Sequence, residues 1–305
     1  MTASLSDAVS PALDDAADFP DWFLKARESA SGRYGSVIHD GCRIAYQAWG
    51  RTGAPPLLLL HGAGASSEWW EPTAVLLADR YHIVAPSASG VGRSGWRERY
   101  AVEQWVAEAL SCAHAEGVAG PDIRPVCVAH SFGSESGARL AVDPARPISQ
   151  LILVDTLMGL YGSSDHSFPM RERQHYAAPE DAISRFSTVP RDDFSPSFLR
   201  PHVAQQSLER LDENGMWSWR ADPNVMARLA YEPILARIGQ ANFPVDFIYG
   251  GRSSMSTPEI RAGHARHARK DATFHEIAAA GHHIPLDQPQ ELAAMIDRLI
   301  ASRRE

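Results

Sequence analysis

Four uninterrupted apolar runs constrain this chain more than any other feature: PPLLLLH (55–61), YHIVAP (81–86), RPVCVAH (124–130) and SQLILVD (149–155). A strand with one wet face alternates apolar and polar residues, whereas a strand covered on both faces does not. The runs therefore predict a mainly parallel sheet with helices on both faces. Helical patterns lie between them, in SSEWWEPTAVLLAD with Ser66 or Ser67 as N-cap, VEQWVAEALSCAHAEG and GSESGARLAV. SVIHD and CRIAYQAW meet at Asp40-Gly41, a hairpin signal, so the sheet is expected to begin with antiparallel strands.

After Asp155 the pattern changes. From about Leu157 to Gly239 bulky residues are scattered among charges, and the segment reads as short helices headed by Pro179, Ser195 and Asp222, without a convincing strand. The strand and helix rhythm returns at PVDFIYG, continues through ATFHEIA and closes with PQELAAMIDRLIAS, apolar at helical spacing. The expected organisation is an N-terminal extension over 1–32, an α/β core over 33–156 and 242–305, and a helical cap over 157–241 inserted in that core.

The 305 residues carry 29 Lys+Arg against 37 Asp+Glu, a formal charge of −8. No basic run is long enough to follow a phosphate backbone, which argues against a nucleic-acid partner. No stretch nears the roughly 18 apolar residues of a membrane span. The first twenty residues lack a basic start and an apolar stretch of leader length. Cys42, Cys112 and Cys127 are an odd number at wide spacing, so no disulfide framework is expected and a cytoplasmic location fits.

The chemistry is sought around Ser131. In VCVAHSFG it follows a buried run, with small residues Ala129 and Gly133 on either side and a helical run next. Such a strand-to-helix turn projects a serine hydroxyl for attack and aims nearby N–H groups at the reacting carbonyl. A buried serine capping a helix would carry the same local signature. A hydroxyl needs a base, an oriented acid and oxyanion donors before it attacks. His282, in AAAGHHIPLDQP between the last strand and the last helix, is the base candidate, and His61-Gly62-Ala63 follows the first apolar run. Ala63 and Phe132 N–H groups are the oxyanion candidates. His264, His267, His282 and His283 lack an acidic partner at a recognisable spacing, so no metal site is expected.

Taken together, HGAGASSEWW, APSASGVGRSG, VCVAHSFGSESG, LILVDT, PVDFIYGGRSS and AGHHIPLDQP fall in the order seen in the α/β-hydrolase family, and the chain resembles its capped serine-hydrolase branch over about residues 33 to 303. The resemblance implies a mainly parallel eight-stranded sheet with an inserted helical cap. It also implies cleavage of an ester, amide or activated carbon-carbon bond through an acyl-enzyme, without metal or organic cofactor. Two positions depart from the family pattern. Ser87 stands where an aspartate is usual, and Ser253 and Ser254 stand in the strand-seven turn that commonly supplies the triad acid. Some branches of the family use an acid after the sixth strand instead. Asp155 ends that strand on the sheet edge where ligands gather, and is read as the triad acid, with a strand-capping aspartate as the other reading.

The expected triad is Ser131, His282 and Asp155, and Met158, Tyr161, Trp217 and Trp219 are the expected pocket wall. A small, partly apolar molecule is the expected partner, with a carboxylic ester or related acyl bond as substrate. The alternatives are a carbon-carbon bond hydrolase acting on a ring-fission-type ketone, for which a pocket arginine would speak, and a non-catalytic binding protein of the same fold.

Overall fold

The hairpin forms at Asp40-Gly41, whose backbones both take positive φ, 44° and 73°, as a two-residue I′ turn requires. It joins β1 (Arg33–His39) to β2 (Cys42–Trp49), with His39 opposite Cys42. The computed structural model describes residues 19–30, 32–156, 168–192 and 194–303. Six further strands complete the sheet: β3 (Pro56–Leu60), β4 (His82–Pro86), β5 (Val126–His130), β6 (Gln150–Val154), β7 (Val245–Gly250) and β8 (Thr273–Ile277). Their spatial order is β1-β2-β4-β3-β5-β6-β7-β8. β2 runs antiparallel to β1 and β4, and all other pairs are parallel.

The four apolar runs are the four central strands, and their side chains feed two cores by simple alternation. Leu58, Leu60, Cys127, Ala129, Leu151 and Leu153 enter one face, beneath the helices Val102–Ala115 and Gly133–Val142. Leu57, Leu59, Val126, Val128, Ile152 and Val154 enter the other, beneath the final helix Pro289–Ser302. The three cysteines are free and buried. Among the described residues no helix is long and apolar enough to cross a membrane.

Three local expectations differ. The stretch 66–79 forms a 3-10 turn over Ser67–Trp70 and one α-turn over Glu71–Ala74, not one long helix. Ser66 makes no capping bond, and the Ser67 hydroxyl is used by Glu68 and Ser87. Within the segment expected to be helical, Leu208–Arg210 pairs with Trp217–Trp219 as a hairpin, and Leu229–Ala230 pairs with Tyr100–Ala101. Strands of two or three residues are too short to show alternation. The helix expected after Asp222 is also interrupted, because Pro233 disfavours helical geometry at Glu232 and cannot donate; a 3-10 turn over Leu235–Gln240 follows. Helices Pro179–Ile183 and Leu199–Gln206 do form.

Part of the expected N-terminal extension is packed structure. Helix Asp21–Ser29 buries Phe23 completely, against Phe198 and His202 of the inserted segment. Arg27 and His202 reach the buried Glu71 at 3.0 and 2.7 Å. Burial pushes the Glu71 carboxyl up, but these two partners outweigh it and hold the group below its ordinary value.

Candidate active site

Ser131 occupies the turn between β5 and helix Gly133–Val142 with φ of 53°. A non-glycine residue there costs about 1–3 kcal/mol. Full burial of one leucine is worth about 1.5–3 kcal/mol, so the buried leucines of β3 on the adjacent strand outweigh that strain. Local bonds fix the turn as well, since Ser131 N–H donates to Val154 O at 2.9 Å and Ser134 N–H to Ser131 O at 3.1 Å. Gly133 is required by close approach: a Cβ there would lie 2.4 Å from His61 O. Ala129, where glycine is commoner, is tolerated because Gly137 of the crossing helix faces it. A Cβ on Gly137 would sit 3.0 Å from that of Ala129.

Ser131 Oγ lies 2.8 Å from His282 Nε2, and His282 Nδ1 lies 2.7 Å from Asp155 Oδ2. All three groups are almost completely buried. The carboxylate of Asp155 also accepts from Gly250 N–H at 2.9 Å, Ser256 Oγ at 2.6 Å and Ser253 Oγ at 2.5 Å. Four donors converge on this carboxylate and fix which oxygen faces the ring. The Ser253 position, which commonly carries an acid in the family, here steadies the acid at the end of β6.

The loop His61–Ala63 is held against the nucleophile turn. A Cβ on Gly62 would lie 2.9 Å from Ser131 Cβ. His61 Nε2 accepts from Ala88 N–H at 3.0 Å, so its Nδ1 carries the proton and donates to Gly62 O at 2.8 Å. Burial lowers the affinity of this ring for a second proton. Among the described residues, neither Ala63 N–H nor Phe132 N–H donates to a protein acceptor. A cavity of about 40 Å³ opens beside them, between Trp105, Phe132, Val225 and Met226. Ser87 ties its turn to Ser67 and Ser94, a local structural role.

A second, larger cleft of about 1080 Å³ begins at Gly64 and runs under the inserted segment, walled by Trp69, Tyr176, Phe186 and Trp219. Arg171, Arg173, Arg185 and Arg220 also line it. Trp219 thus lies where a wall residue was expected. Trp217 instead packs on the cluster of Tyr176, Ala182 and Leu208, to which its strand is bridged. Met158 and Tyr161 lie outside the described residues.

The competing carboxylates have other partners. Asp246, at the opposite end of its strand, accepts from Gln150, Thr273 and Arg303. Glu135 holds Arg139 and Ile234 N–H. Asp287 lies just ahead of the final helix. It accepts from Gly281 N–H at 2.9 Å and Ser195 Oγ at 2.6 Å, tying the histidine loop to the inserted segment. Asp192 adds a bond from His282 N–H at 3.3 Å. Sequence reasoning missed Asp192, and it also missed His130, whose Nε2–H donates to His282 O at 2.8 Å. Neither has a local signal, because each acts across more than 80 residues. His283 is buried beside Trp69. His264 is buried as well and stacks on Phe247.

Comparison with known proteins agrees with this architecture. The family model described as "Alpha/beta hydrolase family" matches residues 57–295, and the chain belongs to that family of hydrolases. The chain is similar to lipase LipV of Mycobacterium tuberculosis, 26% identical over 84% of this chain and 97% of LipV. It is also similar to esterase Rv0045c of the same organism, 25% identical over 85% of this chain and 87% of that protein. The crystal structure of Rv0045c superposes with a TM-score of 0.73 at 20% identity, covering 98% of this chain and all of the other. A thioesterase domain from the curacin biosynthetic pathway has a TM-score of 0.74 at 21% identity, covering 87% and 99%.

Proposed function

We propose that this hydrolase cleaves a carboxylic ester or related acyl bond of a small, partly apolar substrate through an acyl-enzyme on Ser131. The single observation that carries the reading is the unbroken chain from Ser131 Oγ through His282 to Asp155, at 2.8 and 2.7 Å. His282 Nε2 takes the hydroxyl proton as Ser131 attacks the carbonyl carbon; Asp155 holds the Nδ1 tautomer and stabilises the imidazolium. The oxyanion forms beside the Ala63 and Phe132 N–H groups, which have no competing acceptor among the described residues. His282 then returns the proton to the leaving group, and a water activated by the same imidazole releases the acyl chain. The reaction requires neither metal nor organic cofactor. The lipase and esterase names of the relatives support acyl-ester chemistry.

The inserted segment acts as the cap over this centre. Its arginines give a second reading some support: four guanidinium groups beside aromatic walls suit an acidic substrate, as in hydrolysis of a ring-fission-type ketone. A fluorophosphonate probe tests the nucleophile. It should label the wild type and not Ser131→Ala, and a folded wild type that stays unlabelled would support a binding protein instead. Turnover of p-nitrophenyl esters against acidic dienoate ketones then separates the two substrate readings. Arg185→Gln raises KM for the acidic series only, if that series is used.

A further inference from the structure

One histidine from the end of β5 and two from a single loop meet at the candidate centre. His130, His282 and His283 are each at most 5% exposed, and one ring nitrogen of each lies within 4.8 Å of the others. Their hydrogen bonds dictate which nitrogens keep a lone pair. His130 Nε2 faces the carbonyl of His282 at 2.8 Å, and His283 Nε2 faces the carbonyl of Pro190 at 3.1 Å. A carbonyl only accepts, so both nitrogens carry protons, and Nδ1 of each ring is left with its lone pair. His282 spends its Nδ1 proton on Asp155, leaving Nε2 as the third lone pair.

These are the tautomers that metal-ligating histidines adopt, the outer nitrogen bonded to a carbonyl or carboxylate and the inner one free. Among the described residues, no hydrogen bond uses the inner nitrogen of His130 or of His283. His283 Nδ1 is buried without a hydrogen-bond partner, a state that costs about 1–3 kcal/mol. His130 Nδ1 points toward Gly62, near where a Cβ on that glycine would also meet Ser131 Oγ. The ester-cleaving chemistry uses neither.

We propose that His130, His282 and His283 form a three-imidazole site for a late first-row divalent cation such as zinc, whose binding switches the enzyme off by occupying the His282 lone pair that Ser131 needs. Neutral imidazole suits zinc, copper and nickel, whereas magnesium and calcium prefer oxygen ligands. Zn–N bonds of about 2.0–2.1 Å in a tetrahedral site put the nitrogens roughly 3.4 Å apart, so small ring rotations close the set. Ser131 Oγ lies 2.8 Å from His282 Nε2, the nitrogen such an ion would take. The binding half rests on this geometry alone, and the inhibitory half rests on the serine-hydrolase reading above.

The test is calorimetric titration of zinc chloride into the full chain in a non-chelating buffer, using wild type, Ser131→Ala, His130→Gln and His283→Gln. Glutamine keeps each carbonyl-directed N–H and removes the ligating nitrogen. Wild type and Ser131→Ala should bind one zinc per chain, and the glutamine variants should bind at least about tenfold more weakly while keeping the wild-type circular dichroism spectrum. Ester turnover should fall in step with occupancy, recover with EDTA and ignore magnesium. Absence of binding to wild type, or wild-type affinity in both glutamine variants, overturns the site. Stoichiometric binding with undiminished turnover overturns the inhibition and leaves the site standing.

Discussion

Ser253 Oγ lies 2.5 Å from Oδ2 of Asp155, the oxygen that also faces His282 Nδ1. The turn after β7 and the end of β6 therefore converge on one point, so a carboxylate from either could orient the ring. Asp155→Asn should lower kcat by about 10⁴-fold with the fold intact, by presenting an amide that favours the wrong tautomer. Adding Ser253→Asp to that variant should restore part of the loss. Steady-state kinetics on an aryl ester measure both, and near-wild-type turnover of the single variant would remove Asp155 from the mechanism.

Crossing of the nucleophile helix over β5 and β6 leaves room for one methyl group, and Ala129 has it. Gly137→Ala would bring a Cβ to 2.9 Å from Leu151 Cδ1 and 3.0 Å from Ala129 Cβ. Overpacking of this kind should cost about 1–3 kcal/mol in urea unfolding. Combining it with Ala129→Gly should be less costly than the sum of the two single changes, because the closest rigid contact is then gone.

The cavity beside Ala63 and Phe132, at about 40 Å³, has room for only a few waters, each of which needs about 10–15 Å³ of such space. Acetyl and propionyl esters should accordingly exceed octanoyl esters in kcat/KM. Trp105→Ala removes one wall and should move the optimum to longer chains. A wild-type preference for octanoate would place the acyl group in the larger cleft instead.

Glu71 links the N-terminal helix, the core and the inserted segment. Its carboxyl is pushed up by burial and pulled further down by His202 and Arg27, to a net value below 4.5. A group with a depressed folded-state pKa stabilises above its unfolded value and loses that contribution as pH falls through the folded one. Glu71→Gln should thus lower Tm at pH 7, and the difference from wild type should shrink at pH values below 4.5. A gap that stays constant with pH would show that packing, not ionisation, is what the glutamate contributes.

Features encoded by neighbours in sequence were readable in advance. Continuous apolar runs marked the central strands, Asp40-Gly41 marked the hairpin, and Ser131 and His282 stood at turns whose composition suits their geometry. Asp155 could be reached because strand C-termini share one edge of a parallel sheet, although only coordinates place its oxygen 2.7 Å from the ring. What stayed hidden was set by distant partners. The two-residue and three-residue strands carry no period. Phe23 sits in a short helix whose burial depends on Phe198 and His202. His130 and Asp192 bond to the backbone of a loop that lies 152 and 90 residues away.

Pro190, Asp192 and Ser195 hold the loop that carries His282 at several points: Asp192 accepts from the His282 amide, Ser195 donates to Asp287, and the Pro190 carbonyl accepts from the His283 ring. A segment tied to the His282 loop in this way cannot swing open along that rim and leave His282 in place. On the mechanism proposed above, any such opening would withdraw the imidazole from the Ser131 hydroxyl and disarm it, so a substrate is expected to enter along the cleft lined by Arg171, Arg173, Arg185 and Arg220 while that rim stays shut.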